Sequence, residues 1–202
     1  MALELTVATL NAAKAVRLRS LCDGLDVTFR DVTGDPPAIA ETSETHLGNA
    51  IAKAVGWSRV VGGTALASDG GLVIPALGDG WESTLTRRAT GEDVGDAERA
   101  RRLLARMRDL EGSRREAYWA EAIAVARDGV LVCAWETDGM LGRIGEEFRP
   151  DANGPEGFWA DGLWETLEGK KRWELSEDER AVGADPWAQL FEPVSSFLAR
   201  MA

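Results

Sequence analysis

The stretch from Leu3 to Arg17, LELTVATLNAAKAVR, constrains the fold of this chain more than any other. Leu3, Leu5 and Val7 alternate with Glu4 and Thr6, which is the pattern of a buried strand, and the alternation stops at Thr9. Ala15, Val16, Leu18 and Leu21 then continue at helical spacing. The spacing therefore predicts a strand that passes through a tight turn into a helix. Thr9, Asn11 and Lys14 fall beside the helix N-terminus. Unused backbone N–H groups and the positive end of the helix dipole favour an anion there, and a lysine adds a full charge. A phosphate suits such a corner; the plainer role for Thr9 and Asn11 is to cap the helix.

The 202 residues, 45% of them hydrophobic, can bury a core without a disulfide or metal staple, as a single domain spanning 1–202. A formal net charge of −11 opposes a nucleic-acid partner, whereas a small nucleotide needs only a few lysines and one metal ion to offset its charge. Cys22 and Cys133 have no zinc-ligand spacing and read as reduced packing residues. The single histidine, His46, excludes a His-rich metal site and reads as packing too. The N-terminus lacks a signal-peptide pattern and no apolar run reaches membrane-spanning length, which predicts a cytoplasmic chain without a membrane partner.

Further along, Leu25 to Val32 predicts a second strand. Thr45 is placed to cap a helix that buries Leu47, Ala50, Ile51 and Ala54, with Glu41 and Glu44 just upstream. Asn49 and Lys53 share one face of that helix, and each taken alone reads as a solvated polar residue. Thr64 to Pro75 brings two short apolar runs together around Ser68-Asp69-Gly70-Gly71, which presents Asp69 either at a hairpin tip or at a strand end. Ala97 to Leu110 predicts a helix. Ala117 to Val125 and Val130 to Thr137 predict a hairpin, which Met140 to Ile144 extends. Asp151 to Gly162 reads as a polar loop, Glu174 to Arg180 as a short helix, and Trp187 to Met201 as a terminal helix broken or begun near Pro193. Strands and helices alternate throughout, so the class is α/β or mixed α+β.

Read together, Thr9, Asn11, Lys14 and Lys53 are candidate polyphosphate ligands, and Glu41, Glu44 and Asp69 a candidate carboxylate cluster. That combination suits a magnesium nucleotide, because magnesium keeps several waters and needs only one or two protein carboxylates. A carboxylate beside a metal-bound water could take its proton, which points to hydrolysis.

The order and spacing of these segments resemble the inosine triphosphate pyrophosphatase family over nearly the whole chain. Thr9-Leu10-Asn11-Ala12-Ala13-Lys14 matches the family's T-x-N-x-x-K. Glu41 to Ala54, ETSETHLGNAIAKA, is similar to E-T-G-x-T-F-x-x-N-A-x-x-K-A, with His46 at the aromatic position. Ala67-Ser68-Asp69-Gly70-Gly71-Leu72 resembles A-D-D-S-G-L and keeps the second aspartate. Arg88 and Gly91 echo S-A-R-Y-A-G, Gly157 to Gly162 is similar to G-F-G-Y-D-P, and Trp173 to Arg180 is similar to A-E-L-S-P-E-E-K.

The resemblance implies a mixed α/β fold, elongated and two-lobed, with a central mixed sheet flanked by helices and a cleft between the lobes, commonly as a homodimer. It implies magnesium-dependent hydrolysis of a nucleoside triphosphate to the monophosphate and pyrophosphate. Carried over residue by residue, it makes Asp69, Lys14 and Lys53 catalytic, and assigns phosphate to Thr9, Asn11, Lys14, Lys53 and Gly70. Glu41, Glu44 and Asp69 become the metal candidates, and Phe158, Trp159, Asp161, Arg180 and Asp185 the base-binding ones. Departures concentrate at the base: Ala184-Asp185-Pro186 stands where the family has S-H-R, and Trp159 and Ala160 replace glycine and an aromatic. They predict an atypical or modified nucleotide as substrate. Trp159, Trp164, Trp173 and Trp187 could stack on such a base or pack in a core. Ser68 and Gly70, each replacing a family side chain, motivate the alternative of a catalytically impaired nucleotide-binding protein. A Maf-like phosphohydrolase lacks the T-x-N-x-x-K opening.

Overall fold

The computed structural model describes residues 2–30, 37–86, 90–91, 94–150, 159–176, 178–179 and 185–202. In chain order the elements are β1 (Leu3–Val7), α1 (Ala12–Ser20), β2 (Val27–Phe29), α2 (His46–Val61), β3 (Thr64–Val73), α3 (Asp96–Arg106), β4 (Glu116–Arg127), β5 (Val130–Ile144), β6 (Trp164–Glu165) and α4 (Pro186–Met201). The strands form one mixed sheet in the order β2-β1-β3-β4-β5-β6, which is the α/β class expected. By compactness the chain divides into two units. The first is Met1–Gly70, Glu121–Thr137 and Pro186–Ala202; the second is Gly71–Ala120 and Asp138–Asp185.

In the first unit β1 pairs in parallel with β2 on one side and with β3 on the other. The two crossovers, through α1 and α2, place their helices on opposite faces of the sheet. Leu18 of α1 packs with Leu66, Ile123 and Val125 and with Leu190, Val194 and Leu198 of α4. Ala50, Ala54 and Trp57 of α2 pack instead on Ala65, Ala67, Ala122, Ala124 and Ala126. The two-residue alternation of a strand sorts β3 and β4 between these cores. Since β1 leads to β2 on one side and lies beside β3 on the other, the strand order reverses here. In open α/β sheets ligands bind outside the strand C-termini at such a point. β1 ends at Val7, opposite Leu66, and β3 runs on through Ala67 to Gly70 beyond it.

The second unit has its own core of Leu72, Ile74, Trp81, Ala100, Leu103, Met107, Ile144, Trp159 and Leu163. Buried Arg115 donates to the carbonyls of Met107 and Leu110, just past the end of α3, and to those of Ile144 and Gly145. It thereby satisfies acceptors that a helix end leaves open.

Three elements differ from the sequence expectations. Ser68-Asp69-Gly70-Gly71 is no hairpin but the middle of the continuous β3, and neither glycine has positive φ. The sheet sets this outcome: β3 is anchored by β1 up to Leu66 and has β4 on its other edge, and its ladder replaces the local Asp-Gly turn. The hairpin that does form joins β4 to β5 at Asp128 (φ 50) and Gly129 (φ 82), the paired positive φ values that suit strand twist. Second, α4 runs unbroken through Pro193, because Leu190, Val194 and Leu198 anchor one face on either side of it. Third, Val27–Phe29 is all of the second strand among the described residues. Of the expected helix over Glu174 to Arg180, Arg172–Glu174 is a 3-10 turn and residues 178–179 are helical. Asp151 to Phe158, Arg87, Arg88, Glu177 and Arg180 to Ala184 lie outside the described residues.

Candidate active site

The corner after β1 forms as its residue types dictate. Thr9 Oγ1 accepts from the Asn11 N–H at 3.1 Å, and Asn11 Oδ1 accepts from the N–H groups of Ala13 (3.0 Å) and Lys14 (3.2 Å). The Asn11 side chain therefore caps α1, and Thr9 braces the cap residue. These bonds use only their acceptor atoms, so the Thr9 hydroxyl proton and the Asn11 amide protons remain donors for a phosphate. Lys14, on the first turn of α1, lies 3.6 Å from Glu121 Oε1 on β4.

The segment before α2 is folded tightly. Thr45 caps the helix by accepting from the Gly48 N–H at 3.0 Å. Asn49, buried rather than solvated, clamps Ser43 by accepting from its N–H (3.0 Å) and donating to its carbonyl (3.2 Å). A Cβ on Gly48 would collide with the Ser43 side chain, so the close approach of this loop requires glycine. The clamp fixes Glu41, whose Oε1 is 3.7 Å from Lys53 Nζ. Glu44 is exposed, and it does not join the other acids.

Asp69, on β3, is the centre of the cluster. Lys53 donates to Asp69 Oδ1 at 2.7 Å, and His46 Nδ1 lies 2.7 Å from Oδ2. His46 is thus part of the site and not a mere packing residue: as the first residue of α2 it is delivered to the strand along with Lys53. Burial opposes the charge of Asp69, but the His46 hydrogen bond, Lys14 and Lys53 together outweigh it and hold its carboxyl below the ordinary range. Glu121 behaves oppositely. Burial pushes its carboxyl up and the charge of Asp69 adds to this, against the pull of Lys14, His46 and the adjacent Ser68 hydroxyl. Gly70 follows Asp69 on β3 and is partly exposed.

Sequence reasoning missed Glu121 and the His46 contact. A glutamate within the apolar run Ala120-Glu121-Ala122-Ile123-Ala124 was the signal for the first; nothing local marked the second. Among the described residues no group of three or more His, Cys, Asp or Glu side chains converges as a metal site. Glu41 and Asp69 do converge on one cationic centre, the Lys53 ammonium, and both offer the oxygen donors that a hard divalent cation takes.

The base-binding candidates lie in the second unit. Trp159 is 5% exposed and packed in the core, and Trp164 is buried with Met140 and Leu175. Trp173 lies under Arg149, whereas Trp187 belongs to the first unit's core under Arg17. Trp159 and Trp164 thus pack within the second unit and Trp187 within the first. Asp161 Oδ1 lies 3.3 Å from Arg172 Nε, and Asp185 directly precedes α4. Phe158 and Arg180 lie outside the described residues.

Comparison with known proteins identifies the family. A model of the Ham1 family matches residues 5–181. The dITP/XTP pyrophosphatase of Symbiobacterium thermophilum is 32% identical over 177 residues, covering 88% of this chain and 86% of the relative. That of Geobacillus kaustophilus is 33% identical over 180 residues, covering 88% and 85%. Among solved structures, a HAM1 protein from Coxiella burnetii superposes with a TM-score of 0.78 at 28% identity, covering 98% of this chain and 99% of that one. The family match spans most of the chain, and both the strand order and the motifs agree with it: the chain belongs to the Ham1 family.

Proposed function

We propose that this chain is a divalent-metal-dependent nucleoside triphosphate pyrophosphatase. It hydrolyses an atypical or modified nucleoside triphosphate to the monophosphate and pyrophosphate, with magnesium as the natural cation. The observation that carries this reading is the meeting of Lys53 and Glu41 at Asp69 on β3, where that strand outruns β1, with the charge of Lys14 near enough to act on the same carboxylate. The relatives' names point to the same chemistry, since they are dITP/XTP pyrophosphatases.

In this reading the donors of Thr9 and Asn11 and the α1 N-terminus receive phosphate oxygens, and the ammonium groups of Lys14 and Lys53 turn from their carboxylates to the triphosphate. Asp69, kept ionised by its neighbours, holds the cation with Glu41, while His46 fixes the orientation of its carboxylate. The cation supplies positive charge to the triphosphate and lowers the pKa of a bound water. Attack of water at the α-phosphorus forms one P–O bond as the bond to the bridging oxygen breaks, and a carboxylate of the site takes the water's proton. The departures around Ala184-Asp185-Pro186 and the buried Trp159 support altered base choice.

The test is pyrophosphate release from a panel of standard, deaminated and modified triphosphates with Mg2+. Turnover of at least one atypical member well above the standard four is expected, and no turnover of any member overturns the reading. One observation favours a second reading, a nucleotide-binding protein without turnover: both oxygens of Asp69 are already engaged. Calorimetric nucleotide binding without product would favour it.

A further inference from the structure

Glu121 interrupts the most apolar part of β4. Its side chain is 9% exposed, and Oε1 is buried without a hydrogen bond among the described residues. The adjacent Ser68 hydroxyl acts on the Glu121 carboxyl but completes no hydrogen bond of normal geometry to Oε1. Strand alternation explains why they meet. Leu66 on β3 and Ile123 and Val125 on β4 point into the core beneath α1, so Ser68 and Glu121 continue those two rows on the same face. Lys14 lies one helical turn before Leu18, which is buried in that core, and reaches Glu121 from α1. Asp69 falls on the opposite face with His46 and Lys53 of α2. Where β3 outruns β1, each face thus carries one carboxylate and one lysine.

Packing does not account for Glu121, because an apolar side chain would complete the strand without an orphaned oxygen. Pairing with Lys14 does not either: the ammonium is at 3.6 Å, and Oε1 still lacks a donor. A buried carboxylate oxygen without a hydrogen-bond donor, on the strand beside β3, can take a cation. Position 68 also holds a serine where the related pattern A-D-D-S-G-L has an acid.

We infer that Glu121 is a metal-holding carboxylate of this site, supplying from β4, on the α1 face, the acid that position 68 lacks on β3, while Asp69 serves from the opposite face. This rests on the pyrophosphatase reading. The probe is Mn2+ alone, titrated into the full-length protein and counted by electron paramagnetic resonance, alongside circular dichroism and pyrophosphate release. Glu121→Gln should keep the fold and weaken Mn2+ binding about tenfold or more. Adding Ser68→Asp to that variant should return the affinity to within about threefold of the parent, because the carboxylate then reaches the same face from the neighbouring strand. Should Glu121→Gln fail to fold, Glu121→Asp serves in its place: retention of Mn2+ binding there supports the assignment and its loss counts against it. Mn2+ affinity unchanged in Glu121→Gln, absent from the parent, or not restored by Ser68→Asp overturns the inference. Mn2+ binding that depends on Glu121 in a protein with no turnover on any triphosphate would sink the pyrophosphatase reading and leave this assignment standing.

Discussion

Asp69 and Glu121 are both buried carboxylates, yet their surroundings drive them apart. Asp69 meets a lysine and a histidine at 2.7 Å each, whereas Glu121 meets one lysine at 3.6 Å. Removing the Asp69 charge leaves Lys53 with only the longer 3.7 Å contact to Glu41, a change that costs about 3 kcal/mol at neutral pH in comparable buried pairs. The pH dependence follows from the direction of the shift. The carboxyl titrates below its ordinary 3.8 in the folded chain, so its stabilisation is complete above that value and is lost as the pH falls through the folded pKa. Thermal melts of the metal-free protein should therefore show Asp69→Asn well below the parent at pH 7. The gap should close progressively below about pH 4. A gap independent of pH would mean that Asp69 contributes shape and not charge. Turnover of Asp69→Asn should be abolished while nucleotide binding persists.

Helix α2 is the element that assembles the site. Its cap, Thr45, and its clamp, Asn49, fix the preceding loop, and His46 and Lys53 bring two partners to a single strand residue. Helix α4 is a scaffold of a different kind. Pro193 sits in its interior, exposed, where it removes one donor and strains the preceding turn. The face formed by Leu190, Val194 and Leu198 holds the helix together regardless. Pro193→Ala restores the donor at a solvated position and should raise stability by about 1–3 kcal/mol, with no change in turnover. Chemical denaturation reads the first and pyrophosphate release the second. A loss of stability would show that the proline sets a bend that the packing needs.

Across the whole molecule, β3, β4 and β5 each contribute residues to both compact units. A large-to-small change in either core should then act on a single cooperative transition. Leu18→Ala in the first unit and Leu103→Ala in the second, both fully buried, should each cost about 2–5 kcal/mol and lower one shared melting midpoint. Two separated transitions in either variant would show that the units unfold independently. No helix among the described residues is long and apolar enough to cross a membrane.

Chain order alone carried much of this protein. The strand-turn-helix at Leu3 to Arg17, the cap at Thr45 and the β4–β5 hairpin were readable, because caps, turns and alternation are short-range rules acting on neighbouring residues. The long-range decisions were not. Ser68-Asp69-Gly70-Gly71 reads locally as a turn and became the middle of a strand only because β3 is held by β1 up to Leu66 and by β4 on its other edge. Pro193 reads as a helix break until the core beneath α4 is known. Thr9, Asn11 and Lys14, the feature that most constrained the fold, needed no tertiary information to form their corner. What faces that corner, Glu121 from β4 on one side of β3 and His46 from α2 on the other, was decided by strand order and side-chain alternation across the sheet, which no local spacing encodes.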